Sequence, residues 1–233
     1  MSLSHSPSII TNGLVLCLDA GNRRSYPGSG NTWYDLSGNN RNANLLGGVS
    51  YNFDNYGGLI LDGTDDYIEL TNMSSLQLLT SPSITLDIWV KANAFSARTY
   101  IFENRTVSLN NIFAIFTDAA NSTTATLRTH FASAGDITIQ SISTNIIYNL
   151  VYVINTSSIT DNVQFYVNKT KRIYSYNFNE SVNTSNNMYL GKAYVANGYR
   201  WNGSMYRFSY YNRVLSESEI KQNYNAIRGR FGL

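Results

Sequence analysis

The chain has 233 residues, the usual span of one all-β domain, and that length buries a large share of its surface without disulfides or bound metal. Its 17 basic and 15 acidic residues leave a formal charge of +2, which excludes the strong field that draws nucleic acid or an anionic membrane. Only 14% of residues are charged while 43% are hydrophobic, so the polar surface rests on uncharged Asn, Ser, Thr and Tyr, a composition that favours strands and turns.

The opening Met1-Ser-Leu-Ser-His-Ser-Pro7 has neither a basic n-region nor a long apolar stretch, so it does not read as a signal peptide. No apolar run reaches the length of a membrane span, and no membrane insertion is expected. Leu14-Val-Leu-Cys-Leu18 is continuously apolar, as in a strand covered on both faces. Its Cys17 is the one cysteine, which rules out an intrachain disulfide. With no basic neighbour in sequence, Cys17 reads as a small buried hydrophobe. Further on, Ile84, Leu86, Ile88 and Val90 alternate with Thr85, Asp87, Trp89 and Lys91, which predicts a half-buried strand. Residues 124–131 read as another strand, carrying His130. Residues 146–154 are more continuously apolar and predict a central strand, and Val163-Gln-Phe-Tyr-Val167 alternates again.

Strand-like runs recur roughly every ten residues with turn signals between them, the pattern of a sandwich or barrel. No amphipathic helix of ordinary length precedes residue 215, which argues against alternating strands and helices. The end of the chain breaks the β pattern. Ser216-Glu-Ser-Glu219 is a capping box, with Leu215 and Ile220 placed for a hydrophobic staple. Ile220, Tyr224 and Ile227 then share one helical face, and Gly229 stands where a helix stops. The spacing predicts a short helix from Glu217 to Arg228, packed on the sandwich. The organisation expected is an N-terminal arm over 1–13 and a single domain over 14–233.

Four fragments carry a resemblance. They are Gly13-Leu-Val-Leu-Cys-Leu-Asp-Ala20, Trp33-Tyr-Asp-Leu-Ser-Gly38, Gly58-Leu-Ile-Leu-Asp-Gly63 followed by Asp65-Asp66-Tyr67-Ile68, and the stretch from Tyr210 through the capping box to Asn225. Together they resemble a laminin-G-like, concanavalin-A-like jelly-roll domain, in the version carried by structural proteins of tailed bacteriophages. The resemblance implies an all-β antiparallel jelly-roll sandwich of about a dozen strands with one short C-terminal helix. It also implies a virion protein, that is, a decoration, neck or tail-associated subunit that adheres to glycans. Its partners would be other virion proteins, further copies of itself and cell-surface glycans, and no cofactor is expected. A free carbohydrate-binding lectin module is the alternative, and a glycoside hydrolase the third reading, since the fold does not dictate the function.

Several residues bear on that choice. Asp62, Asp65 and Asp66 form an acidic turn that either offers hard oxygens to Ca²⁺ or simply serves a hairpin. Many relatives read Gly-x-Ile-Asp in a late strand near that turn; here it is Gly203-Ser-Met-Tyr206, and no metal is expected. His5 and His130 have no Cys or His at metal spacing. The Glu-x-Asp-x-x-Glu string common in glycosidases of this fold is absent; Glu69, Glu103 and Glu180 stand alone, so no enzymatic activity is expected. Trp33, Tyr34, Tyr199 and Trp201 lie in or beside Gly/Asn-rich segments and are candidate sugar platforms, or else core mass. Finally, the tail offers planar donors in Arg228 and Arg230 and apolar anchors in Phe231 and Leu233. These four, or the segment before Leu14, are expected to dock on a neighbouring virion protein or a second copy of the chain; the alternative is that the tail lies along its own sandwich.

Overall fold

The computed structural model describes residues 7–54, 56–71, 83–105, 112–119, 121–131, 135–155, 158, 163–172, 188–193 and 199–233. The start of the expected arm with His5, and Glu180, lie outside the described residues. In chain order the strands are β1 (Leu14–Asp19), β2 (Thr32–Trp33), β3 (Ala43–Leu46), β4 (Ser50–Asn52), β5 (Gly58–Asp62), β6 (Tyr67–Leu70), β7 (Ser83–Ala94) and β8 (Arg98–Arg105). There follow β9 (Ile112–Ala119), β10 (Thr124–Phe131), β11 (Gly135–Ser143), β12 (Ile147–Asn155), β13 (Val163–Val167), β14 (Thr170–Arg172), β15 (Met188–Leu190) and β16 (Asn202–Tyr211). Helix α1 (Glu217–Arg228) and a 3-10 turn (Gly229–Phe231) close the chain.

Two eight-stranded sheets face each other. The first runs β14-β13-β12-β7-β16-β5-β4, with β1 also on β16; the second runs β11-β10-β9-β8-β15-β6-β3-β2. Neighbours pair antiparallel, as the jelly-roll expectation requires. The core fills the space between the sheets. Phe102 of β8 stacks on Phe208 of β16 at 5.8 Å, and Phe113 of β9 meets Tyr152 of β12 edge-on at 5.9 Å. Such inter-sheet rings are the side-chain layer of a face-to-face sandwich.

The helix falls where its local signals place it. The Ser216 hydroxyl accepts from the Glu219 amide, and the Glu219 carboxylate accepts from the Ser216 amide at 2.8 Å. Leu215 and Ile220 are buried in one cluster, as a staple requires. Gly229 departs from the expectation. It keeps right-handed helical angles (φ −59°), so the chain tightens into the 3-10 turn and turns out of it only at Gly232, in the left-handed region at φ 69°.

A second departure concerns β7. Its outward residues Thr85, Asp87 and Trp89 are as buried as its core face. The reason is the end of the chain, which lies across this sheet. Trp89 stacks against Tyr224 of α1 at 5.5 Å and Phe231 of the 3-10 turn at 5.0 Å. The N-terminal segment is tied into the same layer. Ile10 donates its amide to Asn223 Oδ1 and accepts from the Tyr211 hydroxyl, and Gln222 Nε2 donates to the Ser8 carbonyl. The outer face of the first sheet is thus occupied by the chain itself.

Candidate functional site

The outer face of the second sheet carries a different chemistry. Alternation along β6 sends Ile68 and Leu70 into the core and leaves Tyr67 and Glu69 facing outward. In β15, Met188 and Leu190 are core residues, and Tyr189 faces out between them. Register places Tyr189 opposite Glu69 on one side and opposite Glu103 of β8 on the other. Two carboxylates therefore flank one tyrosine in a row across three strands, and Glu103 is fully buried there.

A cation cap completes the cluster. Gly191, in the left-handed region at φ 84°, turns the chain sharply out of β15; its amide donates to the Ile101 carbonyl and its carbonyl accepts from Trp201. Lys192 is thereby aimed back over the rings, its Nζ 3.7 Å from the Tyr67 centroid and 4.1 Å from that of Tyr189. The Arg200 guanidinium lies 5.1 Å from the Tyr67 ring, and Tyr67 and Tyr189 meet edge-to-face at 6.1 Å. Burial, and then the Arg200 charge, pull the Lys192 ammonium below its ordinary range, while Glu69 and Glu103 work against them.

Beside this cluster Tyr100 stacks on Phe116 at 5.4 Å, and Tyr199, 39% exposed, leans on Tyr100 at 6.1 Å. An ion network fixes the far strands of the same face. Arg98 donates to both oxygens of Asp118 (2.8 and 3.1 Å) and to Asp136 (2.9 Å), and Arg128 also donates to Asp118 (2.9 Å). His130 Nδ1 lies 2.7 Å from Asp136. Burial works to raise the Asp136 carboxyl, but His130 and Arg98 outweigh it and hold the group below its usual range.

The residues singled out in the sequence separate. Trp33 and Trp201 are core side chains, whereas Tyr34 and Tyr199 are exposed, and only Tyr199 borders the cluster. Asp62, Asp65 and Asp66 do converge, with carboxylate atoms within 4.8 Å of one another. Their oxygens serve the turn itself, Asp66 accepting from the Asp62 amide and Asp62 from the Thr64 amide. Tyr206 is elsewhere, buried with Trp89, Tyr224 and Phe231. Cys17 is buried as expected, but not without a basic neighbour: β1–β16 pairing brings Arg207 Nη2 within 3.2 Å of its sulfur. Burial still pushes the thiol up.

In the tail, Arg230 bonds Asp19 at 2.6 Å and the carbonyls of Tyr56 and Gly57, and Phe231 is buried on Trp89 and Tyr206. Arg228 is exposed, donating to the Leu233 carbonyl. Leu233, 43% exposed, borders a cleft of about 380 Å³ with Tyr56, Lys91 and Ile146.

The tyrosine cluster escaped the sequence reading because its members lie on strands at residues 67–70, 98–105 and 188–190, whose adjacency is a product of topology. The one local signal was the in–out alternation of Tyr67-Ile-Glu-Leu70.

Comparison with known proteins agrees with this architecture. Residues 62–221 match the family model of the concanavalin A-like lectin/glucanases superfamily, laminin-G-like type. That is more than half of the chain, and the chain belongs to this family. No curated protein matches the sequence. Among solved structures, the binding domain of botulinum neurotoxin serotype D/C superposes with a TM-score of 0.65 at 16% identity, over 93% of this chain and 52% of that one. Domain 4 of AbnA, a GH43 extracellular arabinanase from Geobacillus stearothermophilus solved with arabinotriose, gives 0.62 at 17% identity, over 91% and 98%. Trypanosoma rangeli sialidase gives 0.70 at 16% identity, over 97% of this chain and 36% of the enzyme. The chain thus spans about half the length of the toxin domain and matches domain 4 end to end. At these identities the likeness is one of fold.

Proposed function

We propose that this domain is a non-enzymatic carbohydrate-binding module whose saccharide lies on the outer face of the second sheet. The observation that carries the reading is the Tyr67–Tyr189 pair capped by Lys192 and Arg200 and flanked by Glu69 and Glu103. Sugar hydroxyls need donors and acceptors side by side, and the cations and Glu69 supply both. The apolar faces of sugar rings need flat partners, and Tyr199 and Tyr100 supply them. The family, and the arabinotriose bound to the similar arabinanase domain, support the substrate class. The absence of hydrolysis is part of the proposal. Glu69 and Glu103 are separated by a whole strand, about 10 Å between backbones, and Tyr189 stands between them. A retaining pair needs carboxyl groups about 5–5.5 Å apart.

A glycan array followed by calorimetry tests this reading. Lys192→Ala should weaken the strongest saccharide about tenfold or more, since hydrogen bonds to charged groups are worth ~1.5–3 kcal/mol. An array without a hit, or turnover of a bound polysaccharide, contradicts it. The four spaced fragments favour a place for the module on a tailed-phage particle, with Arg228 and Leu233 as the exposed part of a docking tail. Co-purification with intact particles, lost in a double Arg228→Ala, Leu233→Ala variant that leaves Arg230 and Phe231 in place, is the outcome expected of that role.

A further inference from the structure

A second, basic cleft lies on the other side of the molecule, at the β14 edge of the first sheet. It has a volume of about 390 Å³ and is lined by Lys169, Thr170, Lys171, Glu217, Lys221 and Asn225. Three ammonium groups face one carboxylate in a protein whose whole formal charge is +2. Glu217 bonds Lys221 at 2.6 Å and also feels the Lys171 charge, so one carboxylate is shared and the lining keeps an excess of positive charge.

The cleft is shaped by a tight turn with an unusual residue in it. Asn168 and Lys169 join β13 to β14 with φ values of 48° and 64°, the two left-handed angles of a type I′ hairpin. Asn tolerates that conformation, and here its side chain accepts from the Asn149 amide at 2.9 Å. Glycine is the residue favoured at the second position, yet this chain has a lysine there. Lys169 thus stands where the backbone disfavours a side chain, a conformation also used at ligand clamps. Lys169 is moreover held in place, its Nζ 5.1 Å from the Tyr224 ring, which itself stacks on Trp89.

We propose that this cleft binds a sulfate or phosphate group. Lysine ammoniums are compact charges with three rotatable donors, suited to a tetrahedral oxyanion; a planar carboxylate is better matched by the arginine fork, which the lining lacks. Neighbouring Thr170 and Asn225 offer neutral donors for the same oxygens. The site is independent of the tyrosine cluster and of the saccharide proposed there.

Lysine side-chain NMR on the full chain tests the proposal with three probes: inorganic sulfate, a heparin-derived tetrasaccharide and maltotetraose. The expected result is saturable shifts at Lys169, Lys171 and Lys221 that weaken as salt is raised. Shifts from inorganic sulfate as well as the heparin fragment identify the free oxyanion as sufficient; shifts from the heparin fragment alone mean the group is read on a saccharide. Either supports the site. Equal shifts from maltotetraose, or no saturable shift from either sulfated probe, overturn it. Lys169→Gly relieves the turn and should leave the melting temperature undiminished while abolishing the Lys171 and Lys221 shifts; unchanged shifts in that variant also overturn it. Lys192→Ala should leave this binding intact, which separates its failure from that of the saccharide site.

Discussion

Arg230 shows how much one side chain near a terminus can hold. Its guanidinium bonds Asp19 and two carbonyls of the 56–57 loop, and lies directly on the Gly21 backbone. A Cβ at Gly21 would run into it, so the guanidinium would have to move off its present acceptors. Gly21→Ala should therefore cost about 1–3 kcal/mol, read as a lower urea midpoint at unchanged slope. Gly203→Ala should cost at least as much, because its Cβ meets the Lys91 carbonyl, part of the sheet itself. Glu219 gives a pH signature. Arg213, bonded to it at 2.6 Å, and then the Ser216 donors hold its carboxyl at about 2 against burial, below its ordinary 4.5. A depressed carboxyl stabilises the fold above the unfolded value and loses that contribution as the pH falls through the folded one. The stability from Glu219 should thus be complete above pH 4.5 and disappear towards pH 2. Acid melts of Glu219→Gln against the parent should converge across that window; parallel curves would count against the pair.

The end of the chain works as one unit, with α1 and the 3-10 turn forming a lid over the outer face of the first sheet. Ser216→Ala removes the capping acceptor and should cost about 0.5–2 kcal/mol in thermal melts. Phe231→Ala empties the site between Trp89 and Tyr206, and about 3–5 kcal/mol is expected, a large change for a residue so near the terminus. The capping box was legible in the sequence because all its donors and acceptors lie within four residues. The burial of Asp87 and Trp89 was not, because their cover arrives more than 130 residues later. The same holds for Cys17, whose partner Arg207 is 190 residues away. Alternation reports which side chains share a face; it does not report what another segment lays on that face.

The two outer faces of the sandwich differ in what covers them. The first is closed by the chain's own lid, with the basic cleft at its edge. The second carries Tyr67, Glu69, Lys192 and Arg200 over the buried Glu103. The sandwich class was legible from strand rhythm and four fragments, but the tyrosine site was not, since Glu69, Glu103 and Tyr189 meet only once β6, β15 and β8 pair. The saccharide is proposed to lie on this second face. Chemical-shift mapping with the strongest saccharide from the array measures it most directly. Shifts should be confined to Tyr67, Tyr189, Lys192, Tyr199 and their strand neighbours and be lost in Lys192→Ala; shifts centred on α1 or the β14 edge, or a map unchanged by that substitution, would rule this face out.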